Sequence, residues 1–439
     1  MIPADDVYLI EIRLGRTKWK VKQVVTAIAA SSGIEYFMEE HPHVTLFGPL
    51  ELGDETSEQQ VLDTIGRIAA HYDPVPFLID RFEKREGMHG SVLAFSVRPS
   101  ARLKELVAEL AGALTPVTFS QNAWDGTPDQ KWYHVTIANH LDKEKAATVF
   151  RSLASLKPSA PVPGQPAGFI ARVLHGIRGT TGREKTGPVH PILLDETGLR
   201  ITVMHKKDIL AEYDLQEKCW IGDDHRQDTP GWQKTLRNFR ISAGFENPHP
   251  RPAKPDDIFL IGDLHLGHAN IIRYCSRPFL FSDPGEMDRV LIANWNSVVS
   301  PGTRIYHLGD LRYGSTARPV AEYREQLRGN AVFITGNHDT PDPGTLPSAL
   351  IGYEELKFFL VHDPADAPSD FDGWVVHGHH HNNDLRHYPF IDFRNRRINV
   401  SAEVAGYVPV SLAEICARIR TCSDAGLTDP VLLGYPYPH

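Results

Sequence analysis

In the first third of the chain, short runs of alternating apolar and polar residues are separated by stretches with helical spacing. Val7–Leu14 reads as a strand, Trp19–Ala30 as a helix, and His43-Val44-Thr45-Leu46 as the opening of a second strand. The same succession returns as a strand over Val92–Val97, a helix over Leu103–Leu114 and a strand opening on His134-Val135-Thr136-Ile137. Alternation puts the His and Thr of each tetrad on one strand face and the apolar pair on the other. Beyond residue 257 the pattern changes to continuous apolar runs, which read as buried strands: Ile258–Ile261, Arg304–Leu308, Ala331–Ile334, Phe358–Val361 and Trp374–Val376. Each ends in a turn rich in Gly, Asp, Asn or His.

Between these regions the signals are weaker. Lys157–Ala167 carries four prolines and reads as a linker or long loop, followed by strands at Gly168–Leu174 and Pro191–Leu194. Leu199–Met204 and Asp208–Tyr213 read as a hairpin across His205-Lys206-Lys207. Trp220, Trp232 and Phe239 with Lys234, Arg237 and Arg240 follow at helical spacings, which suits a helix packed on a domain or a basic face that guides RNA. Pro248–Pro255 reads as a stiff linker. The expected division is a repeat-containing core over 1–157, an extension over 158–245 packed on it, a linker over 246–256 and a second catalytic domain over 257–439.

The chain has 439 residues, 41% of them hydrophobic, and a formal charge of −9. That length predicts two or three domains. With no apolar run long enough to span a bilayer or start a signal peptide, the expected location is cytoplasmic, without a membrane partner. Cys219, Cys275, Cys416 and Cys422 show no C-x-x-C spacing and are expected to be reduced. An acidic chain does not suit tight duplex-DNA binding, whereas small substrates and RNA ends fit it.

Among 22 histidines about one H-x-[ST] arises by chance, and His89-Gly90-Ser91 accounts for it. The weight of the two tetrads therefore rests on the repeat around them. Two such lobes facing each other bring His43, Thr45, His134 and Thr136 to one cleft, and the arrangement resembles the two-histidine (2H) phosphoesterases, which open 2′,3′-cyclic phosphates without metal. That chemistry needs a base on the attacking water and an acid on the leaving ribose oxygen, and imidazoles supply both near neutral pH. The threonine hydroxyls would hold the nonbridging oxygens. By the resemblance His134 is the base and His43 the acid, although the sequence does not fix that polarity. Trp132 and Tyr133 beside the second tetrad suit either a nucleobase platform or the core.

The turns after the later strands carry, in order, Asp263-Leu264-His265, Gly309-Asp310, Gly336-Asn337-His338-Asp339, His362 and Gly378-His379-His380-His381. Two divalent ions roughly 3.5–4 Å apart need one bridging carboxylate with oxygen and imidazole ligands on each side. Asp310 suits the bridge, Asp263, His265 and His381 one ion, and Asn337, His362 and His379 the other. Five imidazoles lie between His377 and His387, too many for all to be ligands, and His380 is expected to point away. The ordered set resembles the calcineurin-like metallophosphoesterases. By that resemblance His338 stands beside the phosphate as acid or transition-state partner, and the context reaches from Gly267-His268-Ala269-Asn270 through Arg277-Pro278-Phe279 to Asn399-Val400 and Tyr407–Val410. Many relatives carry an acid where this chain has Tyr313. Arg312 in that loop, and His268, are candidate substrate contacts. Oxygen and imidazole ligands suit manganese first, then iron, nickel or zinc; the first site needs no cofactor.

The fold expected is therefore α/β and α+β: a bilobal 2H-type fold with a pseudo-twofold repeat, then a calcineurin-like β-sandwich flanked by helices. Together the sites would open a 2′,3′-cyclic phosphate, to a 2′-phosphate by the 2H resemblance, and then remove that monoester. The expected partners are RNA 3′ ends or nucleotides, with an RNA ligase or kinase acting in the same pathway. A scavenger of cyclic nucleotides or ADP-ribose cyclic phosphate, a metal-dependent nuclease, and a module that only binds cyclic-phosphate ends are the alternatives.

Overall fold

The computed structural model describes residues 7–32, 41–87, 90–155, 194–206, 208–222, 229–246, 257–340, 342–424 and 431–432. The segments expected at Lys157–Ala167, Gly168–Leu174 and Pro248–Pro255 lie outside them. Contacts divide the chain into two units, Met1–Thr235 and Leu236–His439. The division falls inside the helix Thr229–Ser242, upstream of the proline-rich stretch. Trp232 lies against Arg200 and Thr235 bonds Asp214 in the first unit, while Arg240 bonds Glu286 in the second.

In the first unit β1 (Tyr8–Arg13), helix α1 (Lys18–Ser32) and β2 (His43–Leu52) form one strand–helix–strand set. Helix α2 (Glu58–Ala69) and β3 (Val75–Gly87) lead into the second set, β4 (Gly90–Pro99), helix α3 (Ala101–Leu114) and, past the short β5 (Thr118–Ser120), β6 (His134–Leu141). Ser57 and Gln60 close a capping box on α2, and Ser100 caps α3 through the Leu103 amide, which fixes where both helices start. Then come helix α4 (Lys143–Ser155), β7 (Leu194–Gly198), β8 (Arg200–His205), β9 (Asp208–Asp214) and β10 (Cys219–Trp220). One sheet runs β10-β9-β8-β1-β2-β5 and the other β6-β4-β3-β7. β1 lies between β8 and β2 as β4 lies between β3 and β6, all antiparallel, so the sets occupy matching places. The β8–β9 hairpin extends the first sheet and β7 the second. Val44, Leu46, Val135 and Ile137 enter one core, each burial favouring the fold by about 1.5–3 kcal/mol, and His43, Thr45, His134 and Thr136 take the half-exposed face.

In the second unit β11 (Ile258–Ile261), β12 (Arg304–Leu308), β13 (Asn330–Ile334) and β14 (Thr345–Leu346) run parallel in one sheet, with β20 (Val410–Ser411) antiparallel beside β11. The other sheet is ordered β15-β16-β17-β19-β18-β21, from β15 (Ser348–Tyr353), β16 (Leu356–Val361), β17 (Trp374–His377), β18 (Ile391–Asp392), β19 (Arg397–Asn399) and β21 (Val431–Leu432). Leu260, Tyr306 and Leu308 of the first sheet meet Phe358, Leu360, Val376 and Ile398 of the second in one core. No helix among the described residues is long and apolar enough to cross a membrane. All four cysteines are free thiols.

Candidate active sites

The first unit brings β2 and β6 into contact, so its two histidine tetrads meet. Each ring is held the same way. His43 Nδ1 donates to the His41 carbonyl at 3.2 Å and His134 Nδ1 to the Trp132 carbonyl at 2.8 Å. A carbonyl only accepts, so both Nδ1 atoms carry a proton and Nε2 is left for proton transfer on each ring.

The surroundings differ. Register sets Arg13 opposite His43 and Glu11 opposite Thr45, whereas Ser96 and Ala94 stand opposite His134 and Thr136. Glu11 is buried, with one carboxylate oxygen on Arg13 at 2.9 Å and the other 3.4 Å from His43 Nδ1, where it favours an imidazolium. Burial pushes the His134 imidazole down to about 4, and the charges of His43, Lys131 and Arg85 push the same way against its bond to the Trp132 carbonyl. Trp132 stacks on His134 at 3.9 Å, lies under Arg85 at 4.3 Å and donates to Glu83, and it is buried. Tyr133 is buried as well. Trp132, covered on both faces, belongs to the scaffold that sets the His134 ring, and Tyr133 belongs to the core.

In the second unit all seven ligand candidates follow the C-terminal ends of parallel strands: β11, β12 and β13 in one sheet, β16 and β17 in the other. Asp310 Oδ2 lies 3.4 Å from His265 Nε2 and 3.5 Å from His362 Nε2, between the two groups. On one side Asp263, His265 and His381 offer ligand atoms within 4.8 Å of one another. On the other, Asn337 Oδ1 is 2.9 Å from both His362 Nε2 and His379 Nδ1. Gly336 and Gly378 are required by this crowding, because a Cβ at either would overlap the Asp310 or Asp263 carboxylate. Asp263, His265, Asp310, His379 and His381 adopt positive φ between 50° and 69°, a conformation costing about 1–3 kcal/mol each.

The donor set fits a metal pair. His265 is buried, its Nδ1 has no hydrogen-bond partner and its Nε2 has only the Asp310 carboxylate at 3.4 Å, which is costly unless something takes a lone pair. The other imidazoles have the ring nitrogen away from the cluster engaged: His362 Nδ1 at the Leu308 carbonyl, 2.8 Å; His381 Nδ1 at Glu403, 3.0 Å; His379 Nε2 at Asp363, 3.4 Å. Each so held presents its remaining nitrogen to the cluster. Burial raises the Asp310 carboxyl, yet the His265 and His362 imidazoles and the His338 amide outweigh it and hold Asp310 well below the usual carboxylate range.

The other candidates fall around this centre. His338 is exposed, its amide donates to Asp310 Oδ1 at 2.9 Å, and its ring lies 4.4 Å from Tyr313. His380 stacks on Tyr388 at 3.4 Å, its ring 5.0 Å from that of His379. His268 lies 5.4 Å from His265 and burial pushes it down to about 3. Arg312 donates to the Gly314 and Ala317 carbonyls of its own loop. A cavity of about 220 Å³ opens beside the second ligand group, lined by Asn337, His362, His379, Asp363, Asp366 and Thr335. Sequence reasoning gave no role to Glu11, Asp339, Arg277 or Glu403. Asp339 takes the Asp310, Leu311 and Gly336 amides and so sets two motif turns. Arg277 lay in a motif already noticed, but its partner is 126 positions away.

Comparison with known proteins defines the class of the first unit. Residues 17–172 match the family described as the 2′-5′ RNA ligase superfamily, and the paired tetrads fall inside that span. This part of the chain is a domain of that superfamily, that of the 2H phosphoesterases, and the chemistry it supports is phosphodiester hydrolysis. Over 165 residues, 37% of its length, the chain is 48% identical to an uncharacterised protein of Methanocaldococcus jannaschii and covers 91% of it; the two belong to one family. It is also 30% identical over 132 residues to the gene 66 protein of Mycobacterium phage L5, spanning 61% of that protein and 29% of its own length. Among solved structures, YfcE, a phosphoesterase from E. coli, aligns with 33% of this chain and 78% of its own at 20% identity, with a TM-score of 0.20, too low to define a fold.

Proposed function

We propose that the chain is a bifunctional phosphoesterase that opens a 2′,3′-cyclic phosphate in its first unit and removes the resulting monoester in its second. The observation that carries this reading is the unequal setting of two equally held imidazoles. His134 is neutral at working pH and its Nε2 takes a proton from the attacking water. The new P–O bond forms as the bond to the leaving ribose oxygen breaks, and His43, whose Nδ1 faces the Glu11 carboxylate at 3.4 Å, gives that oxygen its proton from Nε2. Thr45 and Thr136 on the same strand faces donate to the nonbridging oxygens. By resemblance to the 2H enzymes the product is a 2′-phosphate.

The second unit resembles the calcineurin-like metallophosphoesterases in the ligand order it brings together. Asp263, His265 and His381 would hold one divalent ion, Asn337, His362 and His379 the other, and Asp310 both, manganese being the best match to these hard donors. Ions so held neutralise phosphate charge and acidify bound water. His338, close to the ligands but outside them, supplies the proton to the leaving oxygen. Successive removal of both ester linkages leaves a 2′,3′-diol, the end that RNA repair by a ligase requires. The charge of −9 offers little surface for a phosphate backbone, which favours a second reading as a scavenger of small cyclic phosphates.

One assay tests both steps and both readings. A short RNA with a 2′,3′-cyclic phosphate end, and a 2′,3′-cyclic mononucleotide, are incubated with Mn²⁺ or chelator and the products resolved by end chemistry. The expected result is a diol with Mn²⁺ and a 2′-phosphate with chelator. A ring left closed under chelation refutes the division of labour, and turnover of the mononucleotide alone selects the scavenger.

A further inference from the structure

Arg277 is wholly enclosed, yet it touches three separated segments of the second unit, at Asp263–Leu264, Met287 and Glu403. Its guanidinium donates to the Asp263 carbonyl at 2.7 Å, the Leu264 carbonyl at 2.8 Å and Glu403 at 2.7 Å. The other Glu403 oxygen takes the Nδ1 proton of His381 at 3.0 Å, and His381 Nε2 then lies 3.6 Å from Asp263 Oδ1. A chain of charge-assisted bonds thus runs from the backbone of the Asp263–His265 turn through Arg277 and Glu403 to His381. It closes on the carboxylate of that same turn. Asn382 adds a second tie, donating to the Cys275 carbonyl at 2.9 Å, so the loop carrying Arg277 and the loop carrying His381 are joined twice.

Neither Arg277 nor Glu403 belongs to the ligand set, and a buried ion pair by itself adds little stability over apolar packing. What this pair does is geometric. The turn bearing Asp263 and His265 leaves β11 in one sheet, and His381 leaves β17 in the other. A ligand group drawn from two sheets needs something to hold its halves in register. His362, by contrast, is held by the Leu308 carbonyl and His379 by Asp363, neither of them in contact with Arg277.

We infer that the Arg277–Glu403 pair is the positioning element of one ion only, the one held by Asp263, His265 and His381. This rests on the two-ion reading proposed above. Loss of an outer partner of this kind weakens metal binding about 10–100-fold. The pair thereby makes the two positions unequal: the braced one fills first, the other stays exchangeable.

The test is Mn²⁺ titration of the full chain, followed by equilibrium dialysis with elemental analysis and by electron paramagnetic resonance, comparing wild type with Glu403→Gln and Glu403→Asp. Glu403→Asp keeps the charge facing Arg277 while shortening the reach to His381, so it serves if Glu403→Gln does not fold. The wild type is expected to bind two ions and give an exchange-coupled signal. Each variant that folds should keep one site of wild-type affinity, lose about 10–100-fold at the other, and show uncoupled Mn²⁺ where the wild type is coupled. Thermal unfolding in chelator should fall for Glu403→Gln, which leaves the enclosed Arg277 without its counter-charge, and stay within a few degrees of wild type for Glu403→Asp, which keeps it. Two sites of wild-type affinity in the folded variant overturn the inference. So does equal weakening of both sites in Glu403→Asp, since that marks a purely structural pair. A wild type that binds no ion refutes the two-ion reading itself and is told apart by the first titration.

Discussion

The unequal setting of His43 and His134 makes the pH dependence of ring opening the sharpest test of the first unit. A base must be neutral to act, and His134 titrates at about 4, lowered from the ordinary 6.5 mainly by burial. At pH 5.5 it is therefore about 97% neutral, where an unperturbed imidazole would be about 9% neutral, a difference of roughly tenfold in active enzyme. The assay is kcat/KM for a 2′,3′-cyclic nucleotide in chelator from pH 4 to 8, which isolates this step from the metal site. Activity should hold between pH 6.5 and 5 and fall only as pH approaches 4. The basic limb belongs to His43, and Glu11→Gln should move it to lower pH by removing the carboxylate that favours the imidazolium. An acid limb centred near 6.5 in wild type, or a basic limb indifferent to Glu11→Gln, would falsify the assignment of His134 as base and His43 as acid.

The other predictions concern single groups. His43→Ala and His134→Ala should each slow ring opening by about 10²–10⁴ while sparing phosphate release from a preformed 2′-phosphate; end-labelled time courses show it. Asp310→Ala should lose metal and phosphatase activity together, whereas His338→Ala should keep its metal and turn over slowly, a contrast that elemental analysis beside single-turnover rates reveals. Stability of the first unit should also follow His134. Its folded value lies below its unfolded one, so the unfolded chain binds more protons between pH 6.5 and 4; stability is fully present above 6.5 and falls by about 3 kcal/mol as pH drops to 4. Denaturant midpoints that do not shift in that window for wild type, relative to His134→Gln, count against the burial described here.

What could be read from sequence was local. The tetrads were legible because alternation assigns a face without knowledge of the partner strand, and the ligand motifs because each sits in the turn just after an apolar run. The strand–helix–strand repeat also gave the matching places of β1–β2 and β4–β6. The asymmetry was not legible. Glu11 acts on His43 through an antiparallel register that only strand pairing fixes, and Arg85 reaches His134 from β3, about fifty positions away in the chain. Glu403 and Arg277 were hidden for the same reason, since a bond across 126 positions leaves no periodic trace. The helix Thr229–Ser242, inside which contacts divide the two units, shows no break in composition at Thr235.

Five of the seven proposed ligand positions hold a left-handed backbone, and this constrains any redesign of the proposed metal centre. Asp, Asn, His and Gly accept that conformation with least strain, whereas Val, Ile and Thr accept it worst. Exchanging Asp263 for Asn or His265 for Asp therefore changes donor chemistry on an unaltered loop. A β-branched residue at the same place alters the loop before it alters the metal. Donor swaps at Asn337 and His362, which lie outside that set, carry no such restriction, so the proposed second ion position is the one that could be retuned with the wider choice of side chains.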